Sequence, residues 1–204
     1  MPSIAENKHR KRCNILDAAL ELFTSKSVSE TAIDDVVKLA GVAKGTFYLY
    51  FRDKYDLLDQ IVLYRTADIF TDAYKKLLVI NKHSVMNIPE QFIFVADYIT
   101  DYLKKNKKVT ALIAGRLSVC FSDKGYSMNS TLKDVHEYFT SLITDLNYSK
   151  EEAQKRLFII IDMISSVSCD AILSEKPFTL DEIMPSVYDV LNLILSEVKS
   201  VDNK

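Results

Sequence analysis

Three observations on this 204-residue sequence predict an all-α fold. Only four glycines and four prolines punctuate it. The long intervals between them carry apolar residues at helical spacing. Period-two alternation bounded by turn residues, the mark of strands, is scarce. A chain of this length buries a sizeable core as one domain or two.

Residues 1–12 read as a polar arm with Lys8, Arg10, Lys11 and Arg12 in one cluster. Such a cluster is suited to DNA phosphates beside a reader element and otherwise to solvent. A first helix at about 9–25 places Ile15, Ala19, Leu22 and Phe23 on one face. Thr31 and Asp34 form a capping-box-like pair that starts a second helix, with Ile33, Val36, Val37 and Ala40 inward. Gly41 supplies the left-handed residue that a sharp inter-helix turn requires. A third helix at about 43–50 points Phe47 and Phe51 inward and leaves Lys44, Gly45, Tyr48 and Leu49 on the opposite side. Short helix, tight turn, short helix is the helix-turn-helix pattern. A face with a cation, a bare glycine and a phenol suits DNA contact.

A fourth helix from Lys54 to about residue 78 has Leu58, Ile61, Val62, Ile69, Ala73 and Leu77 as its stripe, and 79–88 breaks the pattern and reads as a loop and domain boundary. The fifth helix, 89–105, opens on Pro89. The sixth covers about 108–121 and ends at an SDKGYS turn, and the seventh covers about 127–146. The eighth, about 149–174, starts with Ser149 and Glu152 as a capping box. The ninth, about 179–200, repeats that relation with Thr179 and Glu182, and Pro185 marks a kink or a delayed start.

Net charge is −2, which argues against indiscriminate coating of nucleic acid. Residues 1–54 hold nine Lys+Arg against seven Asp+Glu, whereas residues 55–204 hold 17 against 21. A basic end on an acidic body fits phosphate contact at one end only. Cys13, Cys120 and Cys169 are far apart with no CxxC pair, and read as reduced thiols in cytoplasm. The first twelve residues have no signal-peptide pattern. The most apolar run, 157–173, is broken by Asp162 and Asp170, which predicts a buried helix and no membrane span.

The segment GVAKGTFYLYFRDKYDLL at 41–58 resembles the signature of the TetR family of bacterial transcriptional regulators. The shared pattern is glycine and valine at the turn, a G-T-aromatic-Y-x-Y-F core, then a lysine followed by leucines. The ILDAALELF stretch of the first helix and the Thr31, Ile33 and Val37 positions match as well, so the motif covers about residues 10–60. The resemblance implies a homodimer of nine- or ten-helix subunits, with a three-helix DNA-binding domain, at 1–54, and a larger C-terminal domain, at 55–204, for a small ligand and dimerisation. It assigns Thr31, Thr46, Tyr48 and Lys54 to phosphates, Lys44, Gly45 and Leu49 to bases, and Tyr50 to either. Two positions depart from the pattern. Ala43 stands where a serine often caps the third helix, forfeiting roughly 1 kcal/mol, and Tyr55 stands where an acid is usual.

Arg116, in ALIAGRLSVCF, reads as a snorkelling surface charge or a ligand-facing cation. Asp162 reads as a partner across a dimer or a pocket carboxylate. The aromatics Phe70, Tyr74, Phe92, Tyr98, Phe121, Tyr138 and Phe139 read as core or as the lining of a pocket for a partly apolar effector. Ser165, Ser166, Ser168 and Ala171 give the eighth helix a small-residue face. With Val187, Leu191, Ile194 and Val198 of the ninth it predicts a two-plus-two dimer bundle. His9, His83 and His136 lack metal-ligand spacing, and neither a phosphate-binding glycine loop nor a nucleophile elbow is present, so no catalysis, metal or cofactor is expected. The expectation is a repressor released from a palindromic operator by a small molecule. The alternative is an architectural or cell-division factor of the same fold with no effector. A cavity on the order of several hundred Å3 favours the first, and a filled core the second.

Overall fold

The structure, a computed structural model, describes residues 3–196. Val198 and the predicted end of the last helix lie outside the described residues. Among them are ten α-helices and one 3-10 turn, in two compact units that divide between Leu63 and Tyr64. None of these helices is long and apolar enough to cross a membrane.

In the first unit, α1 spans Ile4–Lys26. It starts earlier than the predicted arm allows because Ser3 accepts from the Glu6 N–H while the Glu6 carboxylate accepts from the Ser3 N–H. Lys8, Arg10, Lys11 and Arg12 are therefore helical. Its inner face is Ile15, Leu16, Ala19 and Phe23. α2 spans Ile33–Leu39 and is capped by Ala32 without a side-chain bond. Thr31 is not the cap that the sequence suggested, because its hydroxyl donates to the Ser27 carbonyl at 2.6 Å. Gly41, at φ +66°, closes α2 as predicted. The Gly41 N–H bonds Lys38 O and the Val42 N–H bonds Val37 O, the two bonds of a Schellman ending. α3 is Lys44–Tyr48, with Ala43 before it and no side-chain cap, as the departure at that position implied. α4, Lys54–Asn81, opens on a cap missed in the sequence: Asp53 Oδ1 accepts from the Tyr55 and Asp56 N–H groups at 2.8 and 2.9 Å.

The second unit contains the rest of α4, α5 (Ile88–Lys105), α6 (Lys107–Ile113), the 3-10 turn (Leu117–Cys120), α7 (Asp123–Met128), α8 (Thr131–Thr144), α9 (Lys150–Leu173) and α10 (Leu180–Ile194). α9 is its axis, packed against α5, α6, α8, α10 and the 3-10 turn. The predicted sixth helix, 108–121, is broken. Gly115 adopts φ +66°, which ends α6 and re-aims the chain into the 3-10 turn. Arg116 thus lies in a break, half-buried, and not inside an apolar helix. The SDKGYS stretch is a short helix, α7, capped by Ser122. A Cβ on Gly125 would meet the Cys120 carbonyl oxygen at 1.8 Å, so this packing admits only glycine. The Cys120 thiol donates to Leu117 O at 3.3 Å, and burial pushes its pKa up to about 12. α10 begins at Leu180 and continues through Pro185, which is therefore no delayed start; it removes the N–H that would bond Asp181 O.

Candidate functional site

α3 is five residues long and owes its place to ties at both ends. Phe47 and Phe51 are buried with ring centroids 5.6 Å apart. The Tyr50 hydroxyl donates to Lys8 O at 3.1 Å, fixing the exit of α3 to α1. The Lys54 ammonium donates to Ser29 O at 2.7 Å and Thr31 O at 3.1 Å, drawing the start of α4 onto the loop ahead of α2. With the inner side so anchored, Lys44, Gly45, Tyr48 and Leu49 share the exposed side, Leu49 at 78% exposure. Nothing lies within 4 Å of a Cβ built on Gly45, so packing does not demand a glycine there and the bare backbone faces open space.

The other candidates are placed less openly. Thr46, Tyr50 and Lys54 are half-buried, and Thr31 is 1% exposed. Lys44 carries a partner that sequence reasoning missed as such. Its Nζ lies 2.7 Å from Asp34 Oδ1. The hydrogen bond and the charge of that carboxylate raise the lysine's pKa.

In the second unit, a cavity of about 40 Å3 is lined by Phe70, Phe92, Phe121, Phe139 and aliphatic side chains of α5, α8 and α9. Four of the seven aromatics named from the sequence, Phe70, Phe92, Phe121 and Phe139, line it. Tyr74 and Tyr138 meet edge to face, with centroids 5.2 Å apart, outside the lining, and the Tyr138 hydroxyl donates to Gln91 Oε1 at 2.5 Å. Tyr98 and Arg116 are not part of the lining. The polar member of the wall is His136, whose Nδ1 lies 2.9 Å from the Tyr126 hydroxyl. Burial depresses the imidazole's pKa and raises the phenol's, so both groups are neutral at pH 7. A lone histidine without metal spacing gave no signal in the sequence.

The predicted small-residue dimer face is divided: Ser165, Ser168 and Ala171 are buried within the subunit, as are Val187 and Leu191, whereas Ser166 is exposed and Ile194 half-buried. Both helices are apolar on two sides, and periodicity alone does not rank those sides. The outward sides carry Phe158 and Ile159 of α9 and Val190 and Leu193 of α10, with Leu193 72% exposed.

The chain matches the family model of bacterial regulatory proteins, tetR family, over residues 15–61. It is 44% identical over 61 residues to the HTH-type transcriptional regulator YvdT of Bacillus subtilis; that match spans 30% of each protein, well under two thirds of the relative's length. It is 27% identical over 128 residues to the fatty acid metabolism regulator protein of Bacillus subtilis, covering 56% of this chain and 66% of that one. Among crystal structures, FadR from Bacillus subtilis in complex with stearoyl-CoA is similar in fold, with a TM-score of 0.59 and 18% identity over 92% of this chain and 99% of that one.

Proposed function

The chain belongs to the TetR family of bacterial regulatory proteins, with its helix-turn-helix domain at the N-terminal end, and from this premise we propose a cytoplasmic repressor that binds a palindromic operator as a homodimer and leaves it when a small molecule binds. The exposed side of α3 carries the reading. Lys44, Gly45 and Leu49 would meet bases, Thr46, Tyr48 and Tyr50 the flanking phosphates, and Lys54 a phosphate through the donor its carbonyl partners leave over. Buried Thr31 would serve from behind, its carbonyl holding Lys54. Residues 1–54 would thus read DNA, and 55–204 would bind effector and dimerise. Two copies joined through the outer sides of α9 and α10 would set their α3 helices in successive major grooves, about 34–36 Å apart.

We infer a largely apolar effector, with an acyl chain as the leading class. The phenylalanine-rich lining supports this reading, as do the relative named for fatty acid metabolism and the neighbour bound to stearoyl-CoA. The cavity as it stands holds little more than a water or two, so binding would have to widen it. To empty the operator, the effector must prefer the released form; a 100-fold preference is about 2.7 kcal/mol. The small cavity also favours the second reading, a DNA-binding factor with no effector. Fluorescence anisotropy on duplex DNA flanking the gene, with and without acyl-CoA thioesters of graded length, separates the two. Release by long-chain thioesters is expected. Tight operator binding that no thioester or free fatty acid alters would leave the effector-free reading standing.

A further inference from the structure

The Lys44–Asp34 pair offers a donor and an acceptor side by side in the patch that faces DNA if α3 is the reader. Lys44 opens α3, Asp34 lies in the first turn of α2, and their side chains stay 55% and 70% exposed with the charged atoms 2.7 Å apart. A neutral pair displaces no counterions, so it adds nothing to phosphate affinity. Its value lies in its hydrogen-bonding pattern. Asp34 is not needed to complement the start of α2, since Asp35 occupies the same turn and joins Lys26 at 2.6 Å, tying α2 to α1.

We propose that Asp34 and Lys44 together read one G·C base pair in each operator half-site, the ammonium donating to guanine O6 and N7 and the carboxylate accepting from cytosine N4. This rests on the reading of α3 as the element that enters the major groove. In a G·C pair, O6 and N4 are joined by a hydrogen bond of about 2.9 Å, close to the spacing of the Lys44 and Asp34 charged atoms. The ammonium has two donors beyond the one given to Asp34, and the carboxylate has further lone pairs. An A·T pair also presents an acceptor beside a donor, but its neighbours are wrong. The adenine N7 lone pair would face the carboxylate and the thymine methyl would face the ammonium. On G·C, the second guanine acceptor falls on the lysine side.

The test is selection from a randomised duplex library by the full-length protein, the D34A and K44A variants, and the double variant. Wild type should fix one G·C pair per half-site that both single variants release, with discrimination there falling roughly 5- to 150-fold. The double variant should lose no more than either single one. D34A should also steepen the salt dependence by about one phosphate per subunit, because Lys44 becomes free to meet the backbone. Retention of the same G·C preference by D34A overturns the proposal; a gain in affinity for every sequence with that preference kept would make Asp34 an electrostatic brake instead. Failure of the wild-type protein to select any sequence removes the DNA-reading premise as well, which distinguishes the two failures. Circular dichroism of each variant confirms that these exposed substitutions leave the helices intact.

Discussion

In the unit up to Leu63, short helices are tied by polar bonds that reach across the chain: Thr31 to Ser27, Lys54 to Ser29 and Thr31, Tyr50 to Lys8, Lys26 to Asp35. In the unit from Tyr64, ring pairs join the helices alongside polar bonds such as Tyr138 to Gln91: Phe70 on Phe121, Phe92 on Phe139 and Tyr74 on Tyr138, each pair with centroids about 5 Å apart. Hydrogen bonds fix distance and direction, so the first unit presents one surface in one shape. Ring contacts tolerate rearrangement as long as volume is conserved, which leaves the second unit able to adapt around its small cavity. Under the proposed function, the contrast suits a reading surface to the former and an effector to the latter.

Four measurements probe this difference. Phe139→Ala removes a buried ring that touches both Phe92 and Tyr138, and should cost about 3–5 kcal/mol in denaturant unfolding. A cost below about 1 kcal/mol would mean the ring core collapses to fill the gap. Lys54→Met removes two charge-assisted bonds and should destabilise the first unit by about 1.5–3 kcal/mol. Unchanged stability with a flatter salt dependence of DNA binding would instead make Lys54 a pure phosphate contact. Thr31→Val should cost about 0.5–1.5 kcal/mol, read as a lowered thermal midpoint. The smallest effect concerns pH. Because the folded state depresses the His136 pKa, the unfolded chain binds that proton more readily, and stability should fall as pH drops below the ordinary histidine value of about 6.5. His136→Gln should flatten that part of the profile in urea titrations at graded pH.

The same contrast explains what could be read from the sequence. The turn at Gly41, the inward Phe47 and Phe51, and the exposed Lys44, Gly45, Tyr48 and Leu49 were legible because a short element tied at fixed positions demands particular residue types. The Asp34 partner was not, since an acid in a first helical turn has a sufficient local reason to be there. In the second unit, Gly115 was illegible as a break because a lone glycine within an apolar helical pattern is tolerated, and nothing local announces a positive φ. Ser165, Ser168 and Ala171 of α9 were read as a dimer face for a related reason, and are buried within the subunit. Small residues buried against a neighbouring helix and small residues awaiting a partner leave the same pattern. Four of the seven aromatics named from the sequence line the cavity because aromatics are abundant there; His136 was missed because its role depends on what surrounds it.

The closed packing of Gly125 over Cys120 has a practical consequence. The nucleophile in thiol chemistry is the thiolate, and burial that pushes the pKa up to about 12 keeps Cys120 a thiol at pH 7. Cys169 is likewise buried with its pKa raised, whereas Cys13 on α1 is partly accessible. The native chain is therefore a ready single-site substrate for maleimide dyes, with the label entering the DNA-binding unit and no cysteine needing to be removed first. Dequenching or anisotropy of that one fluorophore would follow operator binding in real time.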